Sequence, residues 1–141
     1  MWSIRPFDGE PITAFDEVAL YNDNRVAFIR RSIGSRNCYV ATADEIPIGY
    51  AVLEYSFYEN GFIAMLYVHL EYRRAGVGTE LVRHLERLCR TPKLFTSTNQ
   101  SNSAMLSLLE KLGYAPSRVI QNLDEGDPEL VYFKRLNAST T

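Results

Sequence analysis

Two arginines and two glycines lie close together between an apolar, β-prone run and a helical pattern, in the segment Arg73-Arg74-Ala75-Gly76-Val77-Gly78. The first N–H groups of a helix have no intrahelical acceptor, and the helix dipole adds partial positive charge at the same place. Because Gly76 and Gly78 have no β-carbon, a bulky anion can approach the backbone there. This spacing therefore predicts a binding site for a phosphate or pyrophosphate group.

Two common phosphate-binding loops have requirements that this segment does not meet. A nucleoside-triphosphatase loop ends in Gly-Lys-Ser/Thr, whereas Gly78 is followed by Thr79 and Glu80. A dinucleotide-binding loop needs a third glycine where Leu81 stands, and an acidic residue at the end of the next strand, where the sequence has Thr98-Asn99. The sequence disfavours both classes.

The pattern Arg-x-x-Gly-x-Gly at residues 73–78, shortly after a strand that ends near Val68, resembles the acyl-CoA pyrophosphate loop of the GNAT superfamily of N-acetyltransferases. A second segment, residues 102–114, resembles the later helix of that family, which ends in Leu-Gly-Phe/Tyr. The resemblance implies direct transfer of an acetyl group from acetyl-CoA to a primary amine in a ternary complex. The alternative is an acyl-CoA-binding regulatory module of the same fold with little or no transferase activity.

The resemblance also assigns residues to the cosubstrate. It implies that the backbone at the end of one strand meets the acetyl-pantetheine arm, that a loop binds the pyrophosphate and that an asparagine contacts pantetheine; Asn102 is equally a good helix cap. These acetyl-CoA residues are Leu66, Tyr67 and Val68 in the strand, Arg73, Arg74, Ala75, Gly76, Val77, Gly78 and Thr79 in the loop, and Asn102.

A catalytic base is harder to assign, although a primary amine has a pKa of about 10.4 and must lose a proton before it attacks. Glu54 is the candidate, because alternation places it on the strand face shared by apolar residues 48, 50 and 52. His69 and Glu71 are alternatives, and a solvated charge at a strand end is the other interpretation of Glu54.

The general acid is also in question. Many family members carry a tyrosine immediately before the Glu-Lys-Leu-Gly run, and this chain has Leu109 there. A thiol with a pKa of about 8.5 is acidic enough to leave as the thiolate without full proton transfer.

The surrounding patterns predict the elements that position these residues. Strands are predicted at 2–7, 38–43, 48–57, 62–68, 94–98, 114–122 and 130–136, and helices at 11–20, 24–33, from Gly78 to before Pro92, and after a cap at Ser101 or Asn102. Turns are predicted at Asp44-Glu45 and Glu59-Asn60-Gly61. Together with the family resemblance, these strands, helices and turns predict an α/β (α+β) acyl-CoA N-acyltransferase fold. Its mixed, mostly antiparallel sheet of about six to seven strands is flanked by about four helices.

Length and composition set the remaining expectations. The 141 residues, 46% hydrophobic and 23% charged, predict one domain over residues 1–136 and a frayed tail at 137–141. No membrane-spanning run or signal peptide is visible, which predicts a cytoplasmic protein. The net charge of −2 argues against nucleic-acid binding, and Cys38 and Cys89 lack metal-ligand spacing, so no metal is expected. The expected partners are a small-molecule or peptide amine acceptor and possibly a second copy in a homodimer.

Four acids occur within the six residues 124–129, between the last two predicted strands. The resemblance implies that this connection lies near the entrance for the acceptor, where its field would concentrate cationic amines and salt would screen the effect. A solvated hairpin turn with no role in acceptor binding is the alternative.

Overall fold

The computed structural model describes residues 2–7 and 22–136. The strands are β1 (Trp2–Pro6), β2 (Cys38–Ala43), β3 (Ile46–Phe57), β4 (Asn60–Val68), β5 (Lys93–Asn99), β6 (Ala115–Ile120) and β7 (Glu129–Arg135). The helices are α1 (Asp23–Gly34), α2 (Val77–Leu88) and α3 (Ser103–Lys111), with a 3₁₀ turn at Leu70–Tyr72. The helix predicted at 11–20 and the tail at 137–141 lie outside the described residues.

The strands form one seven-stranded sheet in the order β1-β2-β3-β4-β5-β7-β6. β1 with β2, β2 with β3, β5 with β7 and β6 with β7 are antiparallel, whereas β4 and β5 run parallel in the register Gly61–Leu94 to Ile63–Thr96. The predicted fold class, a mixed and mostly antiparallel sheet with helices, is confirmed. The position of β7 between β5 and β6 was not predicted from the sequence.

The turn between β3 and β4 corrects one prediction. The chain reverses at Tyr58 and Glu59, which have positive φ angles of 53° and 66°. Of the predicted turn at Glu59-Asn60-Gly61, the last two residues belong to β4. Gly61 belongs to β4, where a β-carbon would collide with the Cys89 sulfur. The glycine is therefore required by close packing rather than by the turn.

The chain divides into two compact units, which consist of the described residues of Met1–Leu53 with Met65–Leu85 and of Glu54–Ala64 with Glu86–Thr141. In the first unit, α2 buries Val77, Leu81, Val82 and Leu85, the helical spacing predicted from the sequence. In the second unit, the fully buried side chains include Leu94 and Leu109. Each unit thus has its own apolar core.

The second unit also contains a polar cluster formed by Glu86, Tyr114 and Lys134. The Tyr114 hydroxyl donates to Glu86 Oε2 at 2.8 Å, and Lys134 Nζ lies 3.1 Å from the same oxygen. Burial, and then the hydrogen bond to Glu86, raise the pKa of Tyr114 above its ordinary value, so the hydroxyl keeps its proton and remains a donor at neutral pH. The cluster thus provides hydrogen-bond partners for the Glu86 carboxylate, whose side chain is only 13% exposed.

We expect Lys134→Met to destabilise the protein by about 1–3 kcal/mol, because Glu86 would lose its cationic partner while staying largely buried. The exposed Lys111→Met is the matched control, with an expected loss below about 1 kcal/mol from the helix dipole. Urea unfolding of both variants measures the difference. Equal losses would contradict a stabilising role for the cluster.

Candidate functional site

The end of β4 is held by packing around Tyr67, which is 5% exposed. Its ring lies 5.7 Å from the Tyr50 ring, and the guanidinium groups of Arg25 and Arg73 lie 5.5 and 5.6 Å from its centroid. Contacts between an arginine and an aromatic face are attractive. The side chain of Tyr67 therefore fixes the backbone at Leu66–Val68, which the family resemblance assigns to the acetyl-pantetheine arm.

Strand β3 approaches this backbone very closely at Gly49, a residue that the sequence did not single out. A β-carbon at Gly49 would lie 2.8 Å from the Tyr67 carbonyl oxygen and 3.4 Å from the Val68 α-carbon. Just beyond this point, the His69 N–H donates to the Ile48 carbonyl oxygen at 2.7 Å. Only glycine fits at position 49 without disturbing the backbone contacts between β3 and the end of β4.

The chain leaves β4 through the 3₁₀ turn and reaches the predicted phosphate loop. His69 Nδ1 accepts a hydrogen bond from the Glu71 N–H at 3.2 Å, and the His69 carbonyl oxygen accepts one from the Tyr72 N–H at 2.8 Å. His69, an alternative to Glu54 as the base, is thus engaged in capping the turn. Arg73 Nε donates to the Val68 carbonyl oxygen at 2.8 Å, which ties the loop to the end of β4.

The loop itself has the conformation that its glycines permit. Arg74 and Gly76 have positive φ angles of 67° and 95°, and the second value is strained for any residue with a β-carbon. The Glu80 N–H makes an intrahelical bond to the Gly76 carbonyl oxygen at 3.0 Å. The preceding N–H groups, those of residues 77–79, lie in the first helical turn, where a helix offers donors to an anion.

Arg74 is exposed beside these donors and adds positive charge. The N–H groups of the first helical turn, the positive end of the α2 dipole and the missing β-carbons at Gly76 and Gly78 together form a cradle suited to a pyrophosphate. Binding of the phosphate portion of acetyl-CoA at residues 73–79 stays a prediction. These residues lie in the same unit as Leu66, Tyr67 and Val68.

Asn102 and Glu54 lie in the second unit. Asn102 Oδ1 accepts the Met105 N–H at 3.1 Å, so its predicted role as the α3 cap is confirmed, while its contact with pantetheine stays a prediction. Glu54 is half-buried and accepts a hydrogen bond from the Ser56 hydroxyl at 3.0 Å. Ser56 lies two residues further along β3 and holds the carboxylate on the strand surface.

Leu109 occupies the place where the family resemblance leads one to expect a tyrosine. It is fully buried in α3, and its carbonyl oxygen accepts the Tyr114 N–H at 2.9 Å. An aliphatic side chain has no proton to donate. A general acid at this position is therefore absent from the chain.

The acidic segment 124–129 is anchored rather than simply solvated. Asp124 Oδ2 accepts from Asn99 Nδ2 at 2.8 Å, and Asp127 accepts from both the N–H and the hydroxyl of Ser101, at 3.0 and 2.6 Å. Glu129 accepts from the Ser97 hydroxyl at 2.7 Å. Sequence reasoning missed these partners, since the only available signal was a run of acids and, 25 or more residues earlier, a run of Ser, Thr and Asn.

The sequence pattern of the Acetyltransferase (GNAT) family matches residues 3–114. The chain belongs to this family. A GNAT family acetyltransferase from Bacillus cereus ATCC 10987 has a structure that superposes with a TM-score of 0.87, at 26% identity, covering 96% of this chain and 97% of that one. The structural neighbours confirm the GNAT fold.

Two further relatives extend the comparison. A Bacillus anthracis protein named for streptothricin acetylation, whose structure contains acetyl coenzyme A, superposes with a TM-score of 0.65 at 21% identity, over 70% of this chain and 61% of that one. The cysteine-rich protein 2-binding protein of Homo sapiens is 39% identical over 57 residues, which are 40% of this chain and 7% of that protein's length. The GNAT fold thus accommodates acetyl-CoA, and this GNAT chain matches only a small part of its human relative.

Among residues 2–7 and 22–136, none of the helices has the length and hydropathy that a membrane span requires. Within the same residues, no group of three or more His, Cys, Asp or Glu side chains is arranged to hold a metal ion.

Proposed function

We propose that this GNAT protein transfers an acetyl group from acetyl-CoA to a primary amine by direct attack in a ternary complex. The observation that carries the proposal is the cradle at residues 73–79, where positive φ angles at Arg74 and Gly76 lead into the first turn of α2. Family membership supports acetyl transfer at this cradle. In this proposal residues 1–136 act as one domain, and the two free cysteines suit a reducing, cytoplasmic compartment.

The chain's own groups have defined parts in this reaction. N–H groups of the α2 N-terminus bind the pyrophosphate, and backbone N–H groups at Leu66–Val68 orient the thioester and stabilise negative charge that develops on its oxygen. Glu54 receives the proton of the amine directly or through water. As the carbon–nitrogen bond forms, the carbon–sulfur bond breaks and CoA leaves as the thiolate.

A second function, acyl-CoA binding without transfer, is favoured by one observation, the fully buried Leu109 at the usual tyrosine position. Loss of this hydroxyl removes one route for protonating the leaving group. The thiolate is a good enough leaving group for transfer without that route, so we favour the transferase.

Isothermal titration with acetyl-CoA, combined with release of free CoA thiol in the presence of an amine panel, tests the proposal. The panel contains amino acids, polyamines, aminoglycosides and peptides with free N-termini or lysines. We expect acetyl-CoA to bind and at least one amine to accelerate thiol release. Background from the protein should come from Cys89, because Cys38 is 1% exposed and burial raises its pKa to about 12.

The outcomes separate the two functions. Binding without turnover on any amine would support the acyl-CoA-binding module. Failure of acetyl-CoA to bind would overturn both. A mass increase of one acetyl group on the amine product, measured by mass spectrometry, would distinguish transfer from simple thioester hydrolysis.

A further inference from the structure

A row of phenylalanine rings crosses four neighbouring strands within the second unit. Phe62 in β4 lies opposite Phe95 in β5, which in turn lies opposite Phe133 in β7. The Phe95 and Phe133 rings stack with their centroids 5.7 Å apart. Phe57, at the end of β3, adds a fourth ring, which lies 4.9 Å from the Phe62 ring and 5.1 Å from the Phe95 ring. We call Phe57, Phe62, Phe95 and Phe133 the aromatic row.

The aromatic row lies on the less covered face of the sheet. Along β5 every second residue is buried, and the residues between them, which include Phe95, are half-buried. The other rings of the row are also half-buried, and Tyr58, whose ring contacts the Phe57 ring at 5.0 Å, is 84% exposed. A solvated sheet face normally carries polar side chains, and a cluster of rings there indicates an interaction surface.

Two cations lie opposite each other beside the aromatic row. Lys93 and Arg135 are direct partners in the register of β5 with β7. Each lies two residues from a phenylalanine of the row and therefore on the same face of the sheet. Like charges directly opposite each other destabilise a sheet. Among residues 2–7 and 22–136, neither side chain has an ion-pair partner, so no carboxylate there offsets the repulsion between them.

The opposite end of this face carries carboxylates. Asn99 is the direct partner of Glu129 in the same register, six residues along β5 from Lys93. Glu129 accepts a hydrogen bond from the Ser97 hydroxyl at 2.7 Å, and the Asn99 amide donates to Asp124 Oδ2 at 2.8 Å. These donors are neutral, so they do not offset the charge of either carboxylate. The face is thus basic at one end and acidic at the other.

We propose that this face binds a second copy of the chain in an isologous dimer, with the two faces packed against each other and their strands antiparallel. The two-fold axis of such a dimer crosses β7 at Tyr132, midway between Glu129 and Arg135. Arg135 of each copy then lies over Glu129 of the other, so the same ion pair forms twice. The proposal is independent of acetyl transfer and assigns the homodimer a defined surface.

The same arrangement brings together the remaining features of the face. Lys93 of one copy approaches Asn99 and Asp124 of the other, so the second cation also meets a carboxylate. The two aromatic rows lie side by side across the axis, because Phe95 and Phe133 are each one residue from its level. Their exposed edges are thereby removed from water. The face is therefore complementary to itself in both charge and apolar surface.

Charge and size define the partner further. The acidic end of the face and the net charge of −2 disfavour a nucleic acid, which would need a basic surface. The strands of the row span about 14 Å and the length of β5 is about 20 Å, which gives roughly 300 Å² of projected sheet. This is well below the roughly 800 Å² that each partner buries in a standard interface. We therefore expect a weak dimer with a dissociation constant in the micromolar range.

Sedimentation velocity at protein concentrations from about 1 μM to 1 mM tests the proposal. We expect a monomer–dimer equilibrium that shifts toward the monomer as salt is added, because the ion pairs lie at the rim of the interface. Arg135→Glu should raise the dimer dissociation constant at least about tenfold, since like charges then meet at Glu129 of the other copy, twice. Lys111→Glu, an exposed site on α3 with the same change in net charge, is the matched control and should stay within about twofold.

Arg135→Glu should have the opposite effect on the isolated monomer. It replaces the repulsion between Lys93 and Arg135 by an attraction across the strands, so the monomer should be at least as stable as the wild type. Urea unfolding at concentrations below the dimer dissociation constant measures this stability. Loss of the dimer could then not be attributed to unfolding.

Charge reversal at the other end of the face gives a stricter test. Glu129→Arg should weaken self-association as Arg135→Glu does. An equimolar mixture of the two variants should form a heterodimer with about the wild-type dissociation constant, because both ion pairs form again with their charges exchanged. If Glu129→Arg fails to fold, as judged by circular dichroism, the comparison of Arg135→Glu with Lys111→Glu decides alone.

Three results would overturn the proposal. The first is a wild-type protein that stays monomeric up to about 1 mM, and the second is an Arg135→Glu variant that dimerises as strongly as Lys111→Glu. The third comes from a single-stranded oligonucleotide of mixed sequence added in a parallel experiment. If the oligonucleotide binds the wild-type monomer and Arg135→Glu abolishes that binding, the face binds nucleic acid and not a second copy.

Discussion

Gly78→Val should raise the dissociation constant for acetyl-CoA by about a hundredfold, which corresponds to the loss of one or two charge-assisted hydrogen bonds. Gly78 is the second residue of α2, within the turn whose N–H groups face the proposed pyrophosphate. A branched side chain there would fill the space through which the phosphate oxygens reach the backbone. Isothermal titration with acetyl-CoA measures the effect directly.

The rise in the acetyl-CoA dissociation constant should increase with the size of the side chain at position 78, and it should occur in variants that remain folded. Gly78→Ala adds one methyl group and is expected to raise the dissociation constant less than valine does. Arg73→Ala should also have a smaller effect, because Arg73 Nε bonds to the Val68 carbonyl oxygen and only part of its charge serves the anion. If Gly78→Val leaves both acetyl-CoA affinity and the circular dichroism spectrum unchanged, the phosphate loop has been misplaced.

The parts of this site that could be predicted from sequence depend on neighbours along the chain. The apolar spacing of α2 and the strand before it placed the loop, and Asn102 was identified as a cap three residues before Met105, to which it bonds. Helical periodicity and capping are encoded within a few residues, so one sequence carries them in full.

The parts that could not be predicted depend on residues far apart in sequence. Asp127 meets Ser101 across 26 residues, and Glu86 meets Lys134 across 48. Neither pair produces a periodic pattern in the sequence. The placement of β7 beside β5, which brings Glu129 to Ser97, was also not predicted from the sequence. Hydrogen bonds between side chains on different strands can be identified only when the strand order and register are known.

A local signal misled at Gly61, where the glycine was assumed to belong to a turn. Gly61 lies within β4 beside Cys89. At Gly61 tertiary packing, and not backbone freedom, accounts for the position of the glycine.

Gly49 is the glycine whose replacement should most affect catalysis without touching the phosphate loop. The Tyr67 carbonyl oxygen would be 2.8 Å from a new β-carbon, a separation at which backbone atoms must shift. We expect Gly49→Ala to destabilise the protein by about 1–3 kcal/mol through overpacking. We also expect kcat to fall about tenfold or more, since small misplacements of orienting groups are costly.

Gly34→Ala is the matched control, because a β-carbon there has nothing within 4 Å and alanine favours the helix by up to about 1 kcal/mol. Thiol release with an accepting amine gives kcat, urea unfolding gives stability, and titration gives acetyl-CoA affinity. The dissociation constant of Gly49→Ala should change less than its kcat, because residues 73–79 keep their contacts with the pyrophosphate. A Gly49→Ala variant with the stability and kcat of Gly34→Ala would show that the end of β4 does not position the thioester.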